Sequence, residues 1–213
     1  KAILNSSQNE IFIASGKFPI WVCGIFSKIF QHKKFIAIVH GSEVNPKGKL
    51  NRMYIKWCLN KMDLVIAVSN YTKSLINKLD NKTRVDVIPN GFDEVKFKEN
   101  KIKKINSDQL LLITVGTLSS RKGQKNVIKV LPKIKKENPN LMYHIVGLPK
   151  EEKEILKLAK SLKVQEYIEI HGPLNDKKMI KLLNKSDIFM MLSQESKLGD
   201  VEGFGIAILE ANN

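Results

Sequence analysis

Residues 110–147 read LLLITVGTLSSRKGQKNVIKVLPKIKKENPNLMYHIVG. An apolar run of strand length, Leu110–Val115, is followed by a polar loop, an amphipathic stretch from Gly123 to Glu137, and a second apolar run, Leu141–Val146. Short unbroken apolar runs suit strands buried on both faces, whereas the longer stretch repeats at helical spacing. Strand, helix and strand in that order predict a parallel pair, because parallel strands need a crossover and cannot be joined by a tight hairpin.

The alternation extends outward in both directions. Downstream, helices are expected over Glu151–Leu162 and Asp176–Asn184, strands over Tyr167–Ile170 and Ile188–Leu192, and a further helix over Gly205–Ala211. Upstream, strands Ile11–Ala14, Phe35–His40, Leu64–Val68 and Val85–Ile88 alternate with helices Pro19–Phe30, Lys49–Lys61 and Tyr71–Leu79. Ser69 or Asn70 would cap the last of these, since a short polar side chain satisfies exposed amides at a helix start. Asp93–Asp108 is lysine-rich and aperiodic and reads as a linker. The expectation is an α/β chain of two domains with parallel sheets, residues 1–100 and 101–213. The first residue is not Met and the chain closes on Asn212-Asn213, so a fragment cut at both ends, with both domains incomplete, is expected.

With 213 residues, of which 43% are hydrophobic, the chain can bury real cores, which argues against low-complexity disorder and disulfide-stapled miniproteins. Cys23 and Cys58 lie in apolar stretches and read as reduced core thiols. The formal charge of +15 invites a polyanionic partner, but of 36 basic residues only Arg52, Arg84 and Arg121 are arginines. Readers of base edges and phosphates lean on arginine, so no nucleic-acid partner is expected and the lysines read as a diffuse solvated surface. The apolar run Phe18–Ser27 is about half the length of a membrane span and is bracketed by Lys17 and Lys28. A cytoplasmic protein is expected, with peripheral contact to an anionic membrane at the inner face of the plasma membrane as the remaining use of the surface charge.

In open parallel sheets a ligand sits beyond the carboxyl ends of the strands. Gly116-Thr117-Leu118-Ser119-Ser120-Arg121-Lys122-Gly123 occupies such a place, between a strand and a helix. Free backbone amides, the positive end of a helix and two cations suit a phosphate or diphosphate there, although an ordinary βα turn with surface cations has the same residues. Its glycine spacing matches neither the Walker A loop nor the dinucleotide fingerprint. Sharper is Glu202-Gly203-Phe204-Gly205-Ile206-Ala207-Ile208-Leu209-Glu210, with one carboxylate in a glycine-rich loop and another about a turn and a half into a helix. A diphosphate at the helix start and a diol at the second carboxylate would satisfy both, and a sugar nucleotide carries both groups. A helix start that merely favours negative charge is the competing reading. Among the histidines, His40 ends a strand before Gly41 and is placed like a ligand contact. His144 reads as packed in a strand, His171 as a strand end whose backbone matters more than its ring, and His32 as part of a polar stretch; no metal set is expected among them.

These segments resemble retaining glycosyltransferases of family 4, with the GT-B architecture of two Rossmann-like domains, over essentially the whole chain. The Glu-x7-Glu motif carries most of the likeness. His40-Gly41-Ser42-Glu43, Val68-Ser69-Asn70-Tyr71-Thr72, Val87-Ile88-Pro89-Asn90-Gly91-Phe92-Asp93 and the Val115–Gly123 loop support it. Asp200-Val201-Glu202, with the preceding Glu195–Gly199 insertion, is similar to mannosyltransferases acting on phosphatidylinositol mannosides.

The resemblance implies transfer of a sugar from a nucleoside-diphosphate sugar to a glycan or lipid-linked acceptor with retention of anomeric configuration. Neither a metal nor another cofactor is implied. In such enzymes the counterpart of Lys122 binds the donor diphosphate, with Gly116, Thr117 and Arg121 around it. The counterpart of Glu210 holds ribose hydroxyls, and that of Glu202 lies by the donor sugar, toward which the counterpart of His40 reaches. Gly203, Phe204 and Gly205 would meet sugar or phosphate through their backbone, and the backbone near Leu174 would face the base. Thr117 departs from the pattern, since relatives commonly have arginine there; this leaves open a degenerate nucleotide-sugar-binding module without transfer, and a GT-B epimerase is a further alternative.

Overall fold

A computed structural model describes residues 10–80, 82–97 and 108–212. Their contacts divide the chain into two compact units. One runs to Gly91 and takes in Glu195–Phe204; the other holds Phe92–Gln194 and the chain from Gly205 onward.

The first unit is a parallel sheet of β1 (Ile11–Ser15), β2 (Lys34–Val39), β3 (Leu64–Ala67) and β4 (Val85–Val87), in the order β1-β2-β3-β4. Between them run α1 (Lys17–Ile29), α2 (Lys49–Leu59) and α3 (Asn70–Leu79). Small and β-branched strand residues, Ala14, Ala37, Val39, Val65 and Ala67, are fully covered by Ile20, Ile55, Leu59 and Ile76 from the helices. Helices α1 and α2 approach closely at Gly24, where a Cβ would stand 2.8 Å from the Cys58 sulfur. Both cysteines are free, and burial pushes the Cys58 thiol up to about 11. Ser69, not Asn70, caps α3: its side chain accepts the Thr72 amide.

The second unit begins with α4 (Glu94–Phe97). The aperiodic linker expected over Asp93–Asp108 is therefore helical at its start, because Asp93 accepts the Lys96 amide and Phe97 is buried; its residues 98–107 lie outside the described residues. The division between units also falls earlier than the expected 100/101, and 195–204 returns to the first unit. The second sheet has the order β7-β6-β5-β8, all parallel, from β5 (Leu111–Val115), β6 (Met142–Val146), β7 (Ile168–Gly172) and β8 (Ile188–Phe189). It alternates with α5 (Gln124–Glu137), α6 (Glu152–Ser161) and α7 (Asp176–Lys185), and closes on α8 (Ile206–Asn212). Leu112, Tyr143 and Ile145 bury against Val127, Ile128, Leu131, Ile155 and Ala159. The last strand is shorter than the expected Ile188–Leu192. Beyond Met190 the chain leaves the ladder, and the Leu192 carbonyl passes so close to Gly123 that a Cβ there would overlap it.

Candidate active site

Each unit assembles its own group of the expected residues. In the second, β5 is followed by Gly116, at φ 146° and without a Cβ, and the Lys122 side chain lies across it; a Cβ would stand 3.1 Å from the lysine Cε. Lys122 closes a 3-10 turn, Ser120–Lys122, whose amide bonds back to the Ser119 carbonyl at 3.0 Å. Gly123, left-handed at φ 77°, then opens α5.

Two residues that no motif singled out brace this loop. Gln124, fully buried, donates to the Thr117 carbonyl at 3.1 Å and accepts the Ser119 amide at 3.3 Å. Glu151 accepts the Ser120 amide at 2.8 Å, the Ser120 hydroxyl, and Lys125 Nζ at 2.7 Å. Burial works to raise the Glu151 pKa, but the hydrogen bonds from Lys125 and Ser120 outweigh it and hold the carboxyl below its ordinary range. The Arg121 carbonyl accepts the Gln194 amide at 2.8 Å.

Glu210 lies in α8, which packs on α4. Burial raises its pKa above the usual carboxylate value. Lys96 and Lys122 oppose that shift and Asp176 adds to it, so these four side chains share one electrostatic neighbourhood. Lys96 pairs with Asp176 at 2.8 Å, and that carboxylate is the main reason its ammonium is held above the ordinary value. Asn175 is the cap of α7, accepting the Lys178 amide at 3.0 Å, which leaves Asp176 for Lys96. Lys96 was hidden to sequence reasoning because it sits in the stretch read as linker. Leu174 is half-buried immediately before Asn175.

In the first unit the structure brings His40 to the Glu202-Gly203-Phe204 loop. His40 follows β2, with its Nε2 2.9 Å from the Ser15 hydroxyl and its amide donating to Glu43 at 3.2 Å. Gly203 passes so close that a Cβ would overlap the His40 carbonyl oxygen. Ser69 donates to the Gly203 carbonyl at 2.5 Å and Thr72 at 3.4 Å, while the Ser42 hydroxyl accepts the Val201 amide at 3.1 Å. Asn45 holds the Gly199 carbonyl at 2.9 Å, and Lys47 pairs with Glu195. The segments 40–45 and 69–72 thus serve as the bed for the loop that carries Glu202.

One reading of the histidines is corrected. His144 and His171 are not independent: His144 Nδ1 stands 2.9 Å from His171 Nε2, with Glu169 oxygens 3.5 and 3.6 Å from the two rings. The His171 ring, not only its backbone, therefore matters, and these three side chains form a group able to hold a metal ion. Burial chiefly holds the His144 pKa below the ordinary imidazole value; His171 adds to this and Glu169 opposes it.

Two parallel α/β units, with a glycine-rich cation loop after the first strand of the second, give the chain the GT-B architecture of two Rossmann-like units. Residues 95–213 match the model of the glycosyl transferases group 1, and residues 1–96 that of Glycosyltransferase Family 4. The chain belongs to this glycosyltransferase family. It is 30% identical over 190 residues to a GDP-mannose-dependent monoacylated alpha-(1-6)-phosphatidylinositol monomannoside mannosyltransferase of Corynebacterium glutamicum, covering 84% of this chain and 49% of that one. It is 23% identical over 181 residues to the putative colanic acid biosynthesis glycosyltransferase WcaL of Escherichia coli K12, covering 84% and 44%. Among solved structures, Anabaena Alr3699/HepE in complex with UDP and glucose superposes with a TM-score of 0.80 at 21% identity, over 99% of this chain and 58% of that one. The fold is thus the expected two-unit α/β architecture. The chain spans about half the length of the curated relatives it matches. Among the described residues no helix is long and apolar enough to cross a membrane.

Proposed function

We propose that the protein transfers a sugar from a nucleoside-diphosphate sugar to a glycan or lipid-linked acceptor, with retention and without a metal in the transfer step. The observation that carries this reading is the Lys122 side chain laid across Gly116 at the end of β5, in the same unit as the half-buried Glu210. Lys122, held across Gly116, supplies a positive charge for the diphosphate as the sugar leaves, and Glu210 accepts hydroxyls of the nucleotide ribose. Arg121, Thr117, the Gly205 backbone and Leu174 complete the donor contacts. Glu202 and His40, both in the first unit, are assigned to the sugar on the family resemblance alone. The acceptors and products in the names of the relatives, phosphatidylinositol mannosides and colanic acid, make a cell-envelope acceptor the first to test.

Fixed cations aimed at developing negative charge are worth about 100-fold or more in rate. Lys122→Ala is expected to lower transfer from UDP- or GDP-sugars by at least that factor. A variant within a few-fold of the parent refutes the assignment. Product anomer analysis by NMR decides retention, and full activity after exhaustive chelation is expected. Nucleotide-sugar binding without transfer to any envelope acceptor would instead favour the degenerate module that Thr117 suggests.

A further inference from the structure

Along β6, Tyr143 and Ile145 point into the core shared with α5 and α6, so His144 between them points to the opposite face of the sheet. On β7, Ile168 and Ile170 pack on that same core, which puts Glu169 on the face of His144, its partner in register. The ladder then slips: Ile145 pairs with Ile170 but Val146 with Gly172, leaving His171 as the extra residue of a bulge. Bulges re-aim side chains, and this one delivers the His171 ring to His144. Neighbouring Ile113 on β5 is apolar and buried, as a sheet face meant only for packing would be throughout.

We propose that His144, Glu169 and His171 form a site for a late first-row divalent cation of the zinc type, clasping β6 to β7 across the bulge. The candidate ligand atoms all lie within 4.8 Å of one another, and His144 is only 8% exposed. Tetrahedral zinc with bonds of about 2.0–2.1 Å sets its ligands about 3.3 Å apart. His144 Nδ1 and His171 Nε2, at 2.9 Å, part slightly, Glu169 Oε2 closes on His144 Nδ1 from 3.5 Å, and the third edge starts within 4.8 Å, so small side-chain shifts bring the set to that spacing. Two imidazoles and one carboxylate suit zinc, nickel or cobalt, whereas magnesium and calcium require oxygen donors. None of the three residues is among those assigned to the sugar donor, so the site does not depend on the proposed transfer.

Titration of the 213-residue protein with ZnCl2 and with CoCl2, followed by calorimetry and by visible absorption, tests the site. One ion per chain is expected, with a cobalt spectrum lacking thiolate charge transfer and no competition from magnesium. Glu169→Gln, at a side chain 55% exposed and therefore safe for folding, and His171→Asn should each weaken binding at least about 10-fold. Zinc should raise the melting temperature of the parent and of His32→Ala but not of Glu169→Gln. Absence of stoichiometric binding overturns the proposal. So does binding undiminished in Glu169→Gln, which would leave only a hydrogen-bonded histidine pair.

Discussion

Lys122 lies along the end of β5 with its Cε 3.1 Å from where a Cβ at position 116 would stand, and position 123 must be glycine because the Leu192 carbonyl occupies the place a side chain would take. Both glycines sit at positive φ, where other residues are strained. The carboxylate in this neighbourhood is under a different tension. Burial raises the Glu210 pKa, so the folded protein holds its charge at a cost that a neutral group would not bear. Glu210→Gln is therefore expected to weaken UDP or GDP binding several-fold while leaving the melting temperature of the free protein equal or higher. Unchanged nucleotide affinity by calorimetry, or a fall of several degrees in melting temperature, would contradict this account. Such a trade of stability for binding is common where a polar group is kept half-buried for a ligand.

At the scale of elements, the segment Glu195–Phe204 is held by parts of the first unit that lie far from it in sequence. Ser69 shows the economy of the arrangement, since one hydroxyl both caps α3 and donates to the Gly203 carbonyl. Loss of a cap costs about 1 kcal/mol and loss of a hydrogen bond about as much. Ser69→Ala is expected to destabilise the first unit by about 1–2 kcal/mol in urea unfolding and to speed proteolysis within residues 195–204. Parent-like stability with parent-like resistance would remove Ser69 from this role. The cap at Ser69 was legible in the sequence, but its bond to Gly203 was not. A cap can be read locally, whereas a bond to a carbonyl 134 residues away cannot.

For the whole molecule, four carboxylates among the described residues are held low, Asp63, Asp80, Glu151 and the exposed Glu195 beside Lys47, and the first three are the ones whose surroundings tie stability most to acid. A hydrogen bond from Lys34, aided by the Phe35 amide, lowers Asp63 in the first unit. Burial acts to raise Asp80, but Asn60, the Lys82 amide and the charges of Lys56 and Lys82 prevail and lower it. Glu151 is lowered in the second unit by Lys125 and Ser120 against its burial. A carboxyl with a depressed folded pKa binds fewer protons folded than unfolded. Its contribution is therefore fully present above the unfolded value of about 4 and is lost as pH falls through the lower folded value. Glu210, raised instead, has the opposite sign and offsets part of the loss. Urea midpoints are expected to decline gently from pH 7 to about 5, as the unfolded chain gains the proton that buried His144 resists, and to fall steeply below about 4, less so for Glu151→Gln. A parent and variant with parallel acid profiles would contradict the role given to Glu151.

By itself the sequence determined the alternation of strands and helices, the parallel sheets, and the placing of Lys122 in a loop after a strand, Glu202 in a glycine-rich loop and Glu210 within the helix that follows it. Each of these follows from periodicity and turn chemistry within about 40 residues of chain. Only the tertiary structure decided that Lys96 joins Glu210 and Asp176, that Gln124 and Glu151 brace the cation loop, and that residues 195–204 belong to the first unit. It also decided that His144 meets His171, through a one-residue slip between β6 and β7. Local pattern specifies which face a residue takes, but which distant polar group meets it depends on strand order, register and packing, and those are properties of the assembled core.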